Sequence, residues 1–465
     1  MKTIRVIGGG LAGPEAALQA ASRGHKVHLY EMRPTRSTEA HQTADFAELV
    51  CSNSLKSESE NSAPWLLKQE MRRAGSFLLA DADATAVPAG HALAVDRVAF
   101  SARVAERLAA NPNITIHREE VLDLSPDNAD LTILASGPLT SAPLTKALQQ
   151  ITGVNQLAFY DSISPIVDAS TIDMDKVYFA ARWDKGTADY INCPFTKEEY
   201  DAFIDALTTA ETVQAKEWEQ LPEKVSTFSA GGGPASSLPA EKLNYFEGCL
   251  PIEETARRGR DTLRFGPMKP AGLTNPKTGR WPYAAVQLRC ENLRADSYNL
   301  VGFQNHLKFG EQARILRMIP GLEQATFLRY GQMHRNTYIH APSLLTETLQ
   351  LKARPDILIA GQLSGVEGYT ESIASGMMAG RFAAELLDGG TPIPAPRSTA
   401  HGSLIHYITH SESKSFQPAN ITFDLLPPLE EELRKRIRDK KERHKIQCDR
   451  ALEAWNRWLL PFRVV

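Results

Sequence analysis

What this chain lacks narrows its class before any motif is read. No run of about 18 apolar residues occurs, so no membrane-spanning helix is expected. Cysteine is scarce: the five residues Cys51, Cys193, Cys249, Cys290 and Cys448 are odd in number, widely spaced and without a CxxC pair. That pattern argues against a disulfide framework or a zinc site, and no metal is expected. A strong charge of one sign is missing as well, since 52 Lys and Arg face 55 Asp and Glu. Wholesale attraction to nucleic acid is therefore not expected, although a local basic patch would suffice. The opening MKTIRVIGGG has neither the apolar core nor the cleavage site of a secretory leader, which predicts a cytoplasmic protein. With 42% hydrophobic and 23% charged residues, the composition is that of a soluble globular chain.

What is present is most legible at the start. TIRVIGG is a short β-branched strand, Gly8-x-Gly10-x-x-Gly13 follows at once, LAGPEAALQAASRG reads as a helix, and HKVHLYE as a second strand ending at Glu31. This is the dinucleotide-binding fingerprint in its proper context. Gly8 permits a tight turn, Gly10 lets a pyrophosphate approach the backbone, and Gly13 lets helix and strand pack closely. Gly9, Leu11 and Ala12 complete the turn, and Glu31 is placed to accept a ribose hydroxyl. The fingerprint alone does not separate FAD from NAD. A further strand and small-residue turn lie at 130–140. Another strand, glycine-rich turn and helix lie at 356–380, where Gly361, Gly365, Val366, Glu367 and Gly368 are candidate cofactor contacts. The predicted fold class is α/β, with a discontinuous Rossmann-type FAD-binding domain (1–150 and 346–400) and an inserted α+β substrate domain (151–345). KEEYDAFIDALTTAETVQAKEW reads as one helix of that insert, and the Gly/Ser/Pro-rich stretch 221–242 as a flexible surface loop. The tail 401–465 reads as helical; its segment 433–445 carries eight Lys or Arg against two acids, either a solvated helix face or a phosphate-binding patch.

Four stretches concentrate reactive groups. STEAHQTADFAELVCSNSLKSE (37–58) follows the second strand and sets His41, Glu48, Cys51 and Asn53 beside the expected nucleotide. NYFEGCLPIEETARRG (244–259) surrounds Cys249 with Glu247, Glu253, Glu254, Arg257 and Arg258. LRFGPMKPAGL (263–273) reads as a rigid turn presenting Met268 and Lys269. RYGQMHRNTYIHAP (329–342) interleaves His334 and Arg335 with tyrosines, a pattern suited to planar rings and anionic groups. Cys193, Cys290 and Cys448 lie in segments without such a polar set and read as structural.

These stretches resemble those of the folate- and FAD-dependent tRNA uracil-5-methyltransferases. VIGGGLAGPEAA, LYEMRP, AELVCSNSLKSE, VPAGHALAVDR, YFEGCLPIEETARRG, LRFGPMKPAGL, RYGQMHRNTY, GQLSGVEGYTESIASG and FQPANITFDLLPP match in one order across nearly the whole chain. Departures are local: Pro14 and Asp424 replace residues usual in the family, and 221–242 looks long. The resemblance implies a fold of the glucose-inhibited-division A type and methylation of the T-loop uridine of tRNA at carbon 5. It implies FAD, methylenetetrahydrofolate as methylene donor, and NADH or NADPH as reductant. It implies a thiolate that adds to carbon 6 of the uracil, and a base that removes the carbon 5 proton. Cys249 is assigned to the first role and Cys51 to the second, the reverse assignment staying open. Lys269, His334 and Arg335 are candidate folate contacts. The tRNA is the expected partner, with no membrane and no obligatory protein partner. The alternatives are the same chemistry on a ribosomal RNA uridine, or a flavin oxidoreductase acting on a small molecule. A related wobble-uridine flavoprotein needs a longer helical C-terminal domain, for which 465 residues leave little room.

Overall fold

The computed structural model describes residues 2–38, 40–125, 129–154, 157–213, 250–412 and 416–462. β1 (Thr3–Ile7) forms the middle of a six-stranded sheet and pairs in parallel with β2 (Lys26–Tyr30) on one side and with Leu131–Leu134 on the other. Arg354–Ile359 extends the sheet in parallel beyond Leu131–Leu134, and Ile114–His117 extends it beyond β2. A short antiparallel strand, Gln350–Leu351, closes one edge. Strands covered on both faces have no solvent side, which is why Leu131–Leu134 is buried throughout and Ile357, Leu358 and Ile359 form a continuous apolar run.

Helix α1 (Ala12–Ala21) covers one face with every residue buried, and the long helix Tyr369–Leu387 lies against it. That helix carries Gly376 and Gly380 one turn apart. A Cβ on Gly376 would fall 2.3 Å from the carbonyl oxygen of Ala12, and one on Gly380 would fall 2.4 Å from that of Ala16. The small-residue spacing is thus a requirement of backbone-to-backbone contact. The C-terminal helix Lys440–Leu459 returns to this core. Trp455 is fully buried, donates its indole N–H to the Glu70 carbonyl (2.7 Å) and stacks on His401 at 4.5 Å.

A second six-stranded sheet has the spatial order Tyr178–Phe179, Ile191–Phe195, Ala284–Cys290, Ser297–Leu300, Ile166–Asp168, Phe327–Arg329, antiparallel throughout. Lys197–Thr208 packs on it through Tyr200, Phe203, Ile204 and Leu207, spaced for one helix face. Thr196 and Glu199 form a capping box at its start. The helix is shorter than its sequence suggests. The hydroxyls of Thr208 and Thr209 bond back to the carbonyls of Ile204 and Asp205, and by Val213 the chain donates to the His306 carbonyl instead. The turn at 263–273 also differs from expectation: only Lys269 is presented. Met268 is fully buried in the second core, its backbone held by Leu263 and Ala285. The loop 221–242 lies outside the described residues.

Between the two cores the contact is polar. Asn53, fully buried, donates to the carbonyls of Val95 (3.1 Å) and Cys290 (2.9 Å) and accepts from Arg289 (3.0 Å) and Asn299 (3.3 Å). Beside it Arg97 pairs with Glu291, Nε to Oε2 at 2.5 Å. Among the described residues no helix is long and apolar enough to cross a membrane.

The helix contact generates a first test. Gly380→Val inserts three carbons where a single Cβ already collides with backbone, so a cost of about 1–3 kcal/mol or more is expected. Thermal unfolding measures it, and an unchanged midpoint would contradict the close approach.

Candidate functional site

The carboxyl ends of β1, β2, Leu131–Leu134 and Arg354–Ile359 open into one cleft of about 1070 Å³, its open mouth included. This is where parallel sheets of this kind bind ligands. Its floor is Ile7 to Ala12, one wall is Glu119–Val121 with Ala135–Ser141, and the opposite side is Gly361, Gln362, Tyr369 and Ser372.

The glycines do different work. Gly8 (φ +117°) is jammed against the turn after Leu131–Leu134, where a Cβ would sit 2.3 Å from the Ala135 oxygen. Gly13 abuts Gly8 so closely that a Cβ would fall 1.8 Å from its carbonyl oxygen. Gly10 faces open space, with nothing within 4 Å of its would-be Cβ. That vacant approach to the backbone is what a pyrophosphate needs. Two helix N-termini reach the same space, α1 after Leu11 and Tyr369–Leu387 after Gly368, and neither first turn is capped by a side chain. Uncapped N–H groups and the helix dipole suit an anion.

Glu31 is 6% exposed. Its Oε2 accepts from the Gly9 N–H (2.8 Å), and its Oε1 from the backbone N–H and the Nε of Arg33 (2.9 and 2.8 Å). A carboxylate offers about four lone-pair directions, so one remains on Oε2 for a ribose hydroxyl. Burial opposes its charge, but the Arg33 guanidinium and the N–H donors outweigh burial and hold it below the usual carboxylate range. Arg33 also binds Glu48 at 2.9 Å. These residues fit a dinucleotide: two anion-ready turns, a ribose acceptor and a cleft of sufficient length.

Cys51 stands beside this cleft, half-buried. Its backbone N–H donates to the Tyr369 hydroxyl (2.7 Å), and Tyr369 itself lines the cleft. Burial pushes the Tyr369 phenol up, so it stays neutral and can still donate. Arg97 donates to the carbonyls of Leu49 and Cys51 while holding Glu291. Burial disfavours the Arg97 charge, yet Glu291 outweighs it, and Tyr369 and Cys51 act in the same direction. Arg329 feels Cys51 too; burial and the neighbouring Arg97 push it down. Guanidinium groups are the neighbours a thiolate needs.

Of the residues singled out from sequence, Gly8, Gly9, Gly10, Leu11, Ala12, Glu31 and Gly361 line the cleft, and Gly13 packs behind it. Gly365, Val366, Glu367 and Gly368 do not line it: Gly365 lies against Phe416, Val366 is fully buried, and the Glu367 N–H donates to the Ala419 carbonyl. Lys269 is exposed on the second sheet's side. His334 and Arg335 lie on the strand Met333–Tyr338, paired with Leu157–Ser162; their side chains are outside the described set. Cys249 lies outside the described residues. Cys193, Cys290 and Cys448 are buried, and burial pushes all three thiols up, Cys448 to about 12. Cys290 does have polar company, because Asn53 binds its carbonyl. Sequence reasoning missed Arg33, Arg97, Arg329 and Tyr369. Arg97 follows Asp96, the side-chain cap of Arg97–Ala109, which was the available signal.

A family model described as glucose inhibited division protein A matches residues 3–391. A protein of Koribacter versatilis named methylenetetrahydrofolate--tRNA-(uracil-5-)-methyltransferase TrmFO is 63% identical over 99% of this chain and 99% of its own length. A protein of the same name from Enterococcus faecalis is 52% identical over 97% and 98%. Among solved structures, Aquifex aeolicus GidA superposes with a TM-score of 0.63 at 16% identity, covering 98% of this chain and 77% of that one.

Glu31 yields a test with a definite sign. Its folded value lies below the ordinary one, so its contribution to stability is complete above about pH 5 and vanishes as pH falls through the folded value. The difference in unfolding free energy between wild type and Glu31→Gln should be level near neutrality and shrink on acidification below about pH 4.3. A difference that grows on acidification would contradict the assignment.

Proposed function

This chain belongs to the glucose inhibited division protein A family, and we infer that it methylates carbon 5 of a tRNA uracil at the expense of methylenetetrahydrofolate. FAD is its cofactor and NAD(P)H its reductant. The observation that carries the reading is the placement of Cys51 at the edge of the nucleotide cleft, where its backbone N–H donates to the hydroxyl of the cleft-lining Tyr369. A flavin oxidoreductase acting on a small molecule has no use for that thiol.

The chemistry sets the residues their tasks. Uracil carbon 5 is a weak nucleophile. A thiolate that adds to carbon 6 forms a C–S bond and moves the ring's electrons to an enolate at oxygen 4, which makes carbon 5 nucleophilic. Once carbon 5 has bonded to the methylene, a base removes its proton and the nitrogen that carried the methylene leaves with the C–N electron pair; a hydride added to the resulting exocyclic methylene then restores the ring double bond and expels the thiolate. Bound FAD supplies the redox chemistry that turns the transferred methylene into a methyl group. Gly8–Ala12, Gly361, Glu31 and the two uncapped helix turns hold its pyrophosphate and ribose. Gly365–Gly368 support the second turn from behind. Cys249 adds to carbon 6, and Cys51 takes the carbon 5 proton. The cationic groups of Arg97 and Arg329 favour the thiolate form that Cys51 needs to act as a base. Lys269, His334 and Arg335 serve the folate, its anionic tail pairing with cations. We place the reaction in the cytoplasm, where charged folates and tRNA meet, with the boundaries 1–150, 151–345, 346–400 and 401–465 dividing cofactor, substrate and tail segments. No protein partner is required.

The test uses unmodified tRNA transcript, methylenetetrahydrofolate labelled in its methylene, and NAD(P)H. Label is expected at uracil carbon 5 with the wild type. Cys249→Ala and Cys51→Ala should each keep bound flavin and lose transfer by roughly 100-fold or more, the size of a nucleophilic or acid–base contribution. Label that never reaches tRNA overturns the function; methylation retained in Cys249→Ala overturns the nucleophile.

A further inference from the structure

Two tryptophans stand in solvent on the second sheet, far from what hydrophobic burial dictates. Trp183 is 57% exposed and Trp281 is 49% exposed. They touch each other edge to face, centroids 5.1 Å apart at 84°, a favourable aromatic geometry.

Trp183 is held in place at a cost. Its φ is +58°, and that of Asp184 is +50°, so two successive residues with side chains occupy the left-handed region. Such conformations cost about 1–3 kcal/mol each and persist only where surroundings enforce them. The surroundings are visible. The Trp183 N–H donates to the Gly272 carbonyl (2.7 Å). Arg182 clamps the loop from below, donating to the Ala271 carbonyl (2.8 Å) and to Gln287 Oε1 (2.9 Å). Gly272 gives the indole its seat, because a Cβ there would lie 2.8 Å from the ring. The far end of the same loop is tied to the first domain: Asp189 accepts from the Gly90 N–H (2.8 Å), and Tyr190 donates to the Ala89 carbonyl (3.1 Å).

The charges around the pair favour a polyanion. Exposed Lys185 follows Trp183, exposed Lys269 precedes the Ala271–Gly272 seat, and exposed Lys277 and Arg280 lie in the turn leading to Trp281. Against these four cations stand exposed Asp175 and Asp184 and half-buried Asp189, and Asp189 is already engaged by Gly90 and Thr187. Lys277 also reaches the Asp175 carbonyl. Flat rings set among cations suit unpaired bases with their phosphates.

We propose that Trp183 and Trp281 form a stacking platform for an unpaired nucleobase of the RNA substrate, a site distinct from the nucleotide cleft. This rests on the tRNA reading above. RNA loops are recognised by splayed bases stacked on aromatic rings, and every base has a face to offer.

Binding of unmodified tRNA transcript is measured by fluorescence anisotropy across a salt series for the holoenzyme and its variants. Trp183→Ala and Trp281→Ala should each weaken binding about 5- to 150-fold, the worth of one stacked base. Trp183→Phe should stay within about threefold, since a ring remains. The slope of log affinity against log salt should not change, because no phosphate contact is removed. Flavin reduction by NAD(P)H without RNA should be that of the wild type. Wild-type affinity in Trp183→Ala overturns the platform, as does a loss that Phe fails to restore. Should the alanine variant not fold, Trp183→Leu against Trp183→Phe makes the same comparison. A wild type that binds tRNA yet transfers no methyl to it overturns the function and leaves the platform standing.

Discussion

The arrangement of this molecule depends on one buried ion pair, Arg97 with Glu291, and on the amide of Asn53 beside it. Arg97 begins a helix of the first core and Glu291 follows a strand of the second. Glu291 is buried and Arg97 part-buried, so losing the arginine leaves a buried carboxylate with the Asn299 amide as its remaining close donor. The same guanidinium holds the carbonyls of Leu49 and Cys51. The conformation of the crossover that bears Cys51 is therefore tied to how the two cores dock. An apolar junction of equal area would tolerate sliding; a fixed fork of donors does not.

The four described cysteines separate on the same physical ground. Cys193 and Cys448 are fully buried and Cys290 nearly so, and all three are held in the neutral form by burial. Cys51 is half-buried, under a phenol and within the field of two guanidinium groups. Scarcity of cysteine in the sequence thus reflects separate tasks for individual thiols, with packing for three of them.

Local grammar explains what was legible in advance. The strand, glycine turn and helix of residues 3–21 could be read because each determinant lies within a few positions of the next. Gly376 and Gly380 were visible as small residues, though their reason, contact with Ala12 and Ala16, was not. Arg97 and Asn53 were opaque because their partners lie some 190 to 240 positions away, and no periodicity marks a pair at that distance. Met268 was misjudged because a proline-flanked turn looks exposed from sequence, while its burial depends on Leu263 and a strand beyond. The cleft was inferred from glycines; its acidic lock, Glu31 with Arg33 and Glu48, needed the fold.

The sheet of the first domain has a history written in its strand order. Leu131–Leu134 gains its outer neighbour only when Arg354–Ile359 arrives, some 220 residues later. At a ribosomal pace of about 5–20 residues per second, that strand waits on the order of 10–45 s with one edge open. Exposed parallel edges invite pairing with other chains. All the buried residues of the second core are synthesised within that interval. Trp455 on Glu70 then arrives last of all. A nascent chain of this kind has no finished cofactor cleft until Gly361, Tyr369 and Ser372 have followed Arg354–Ile359.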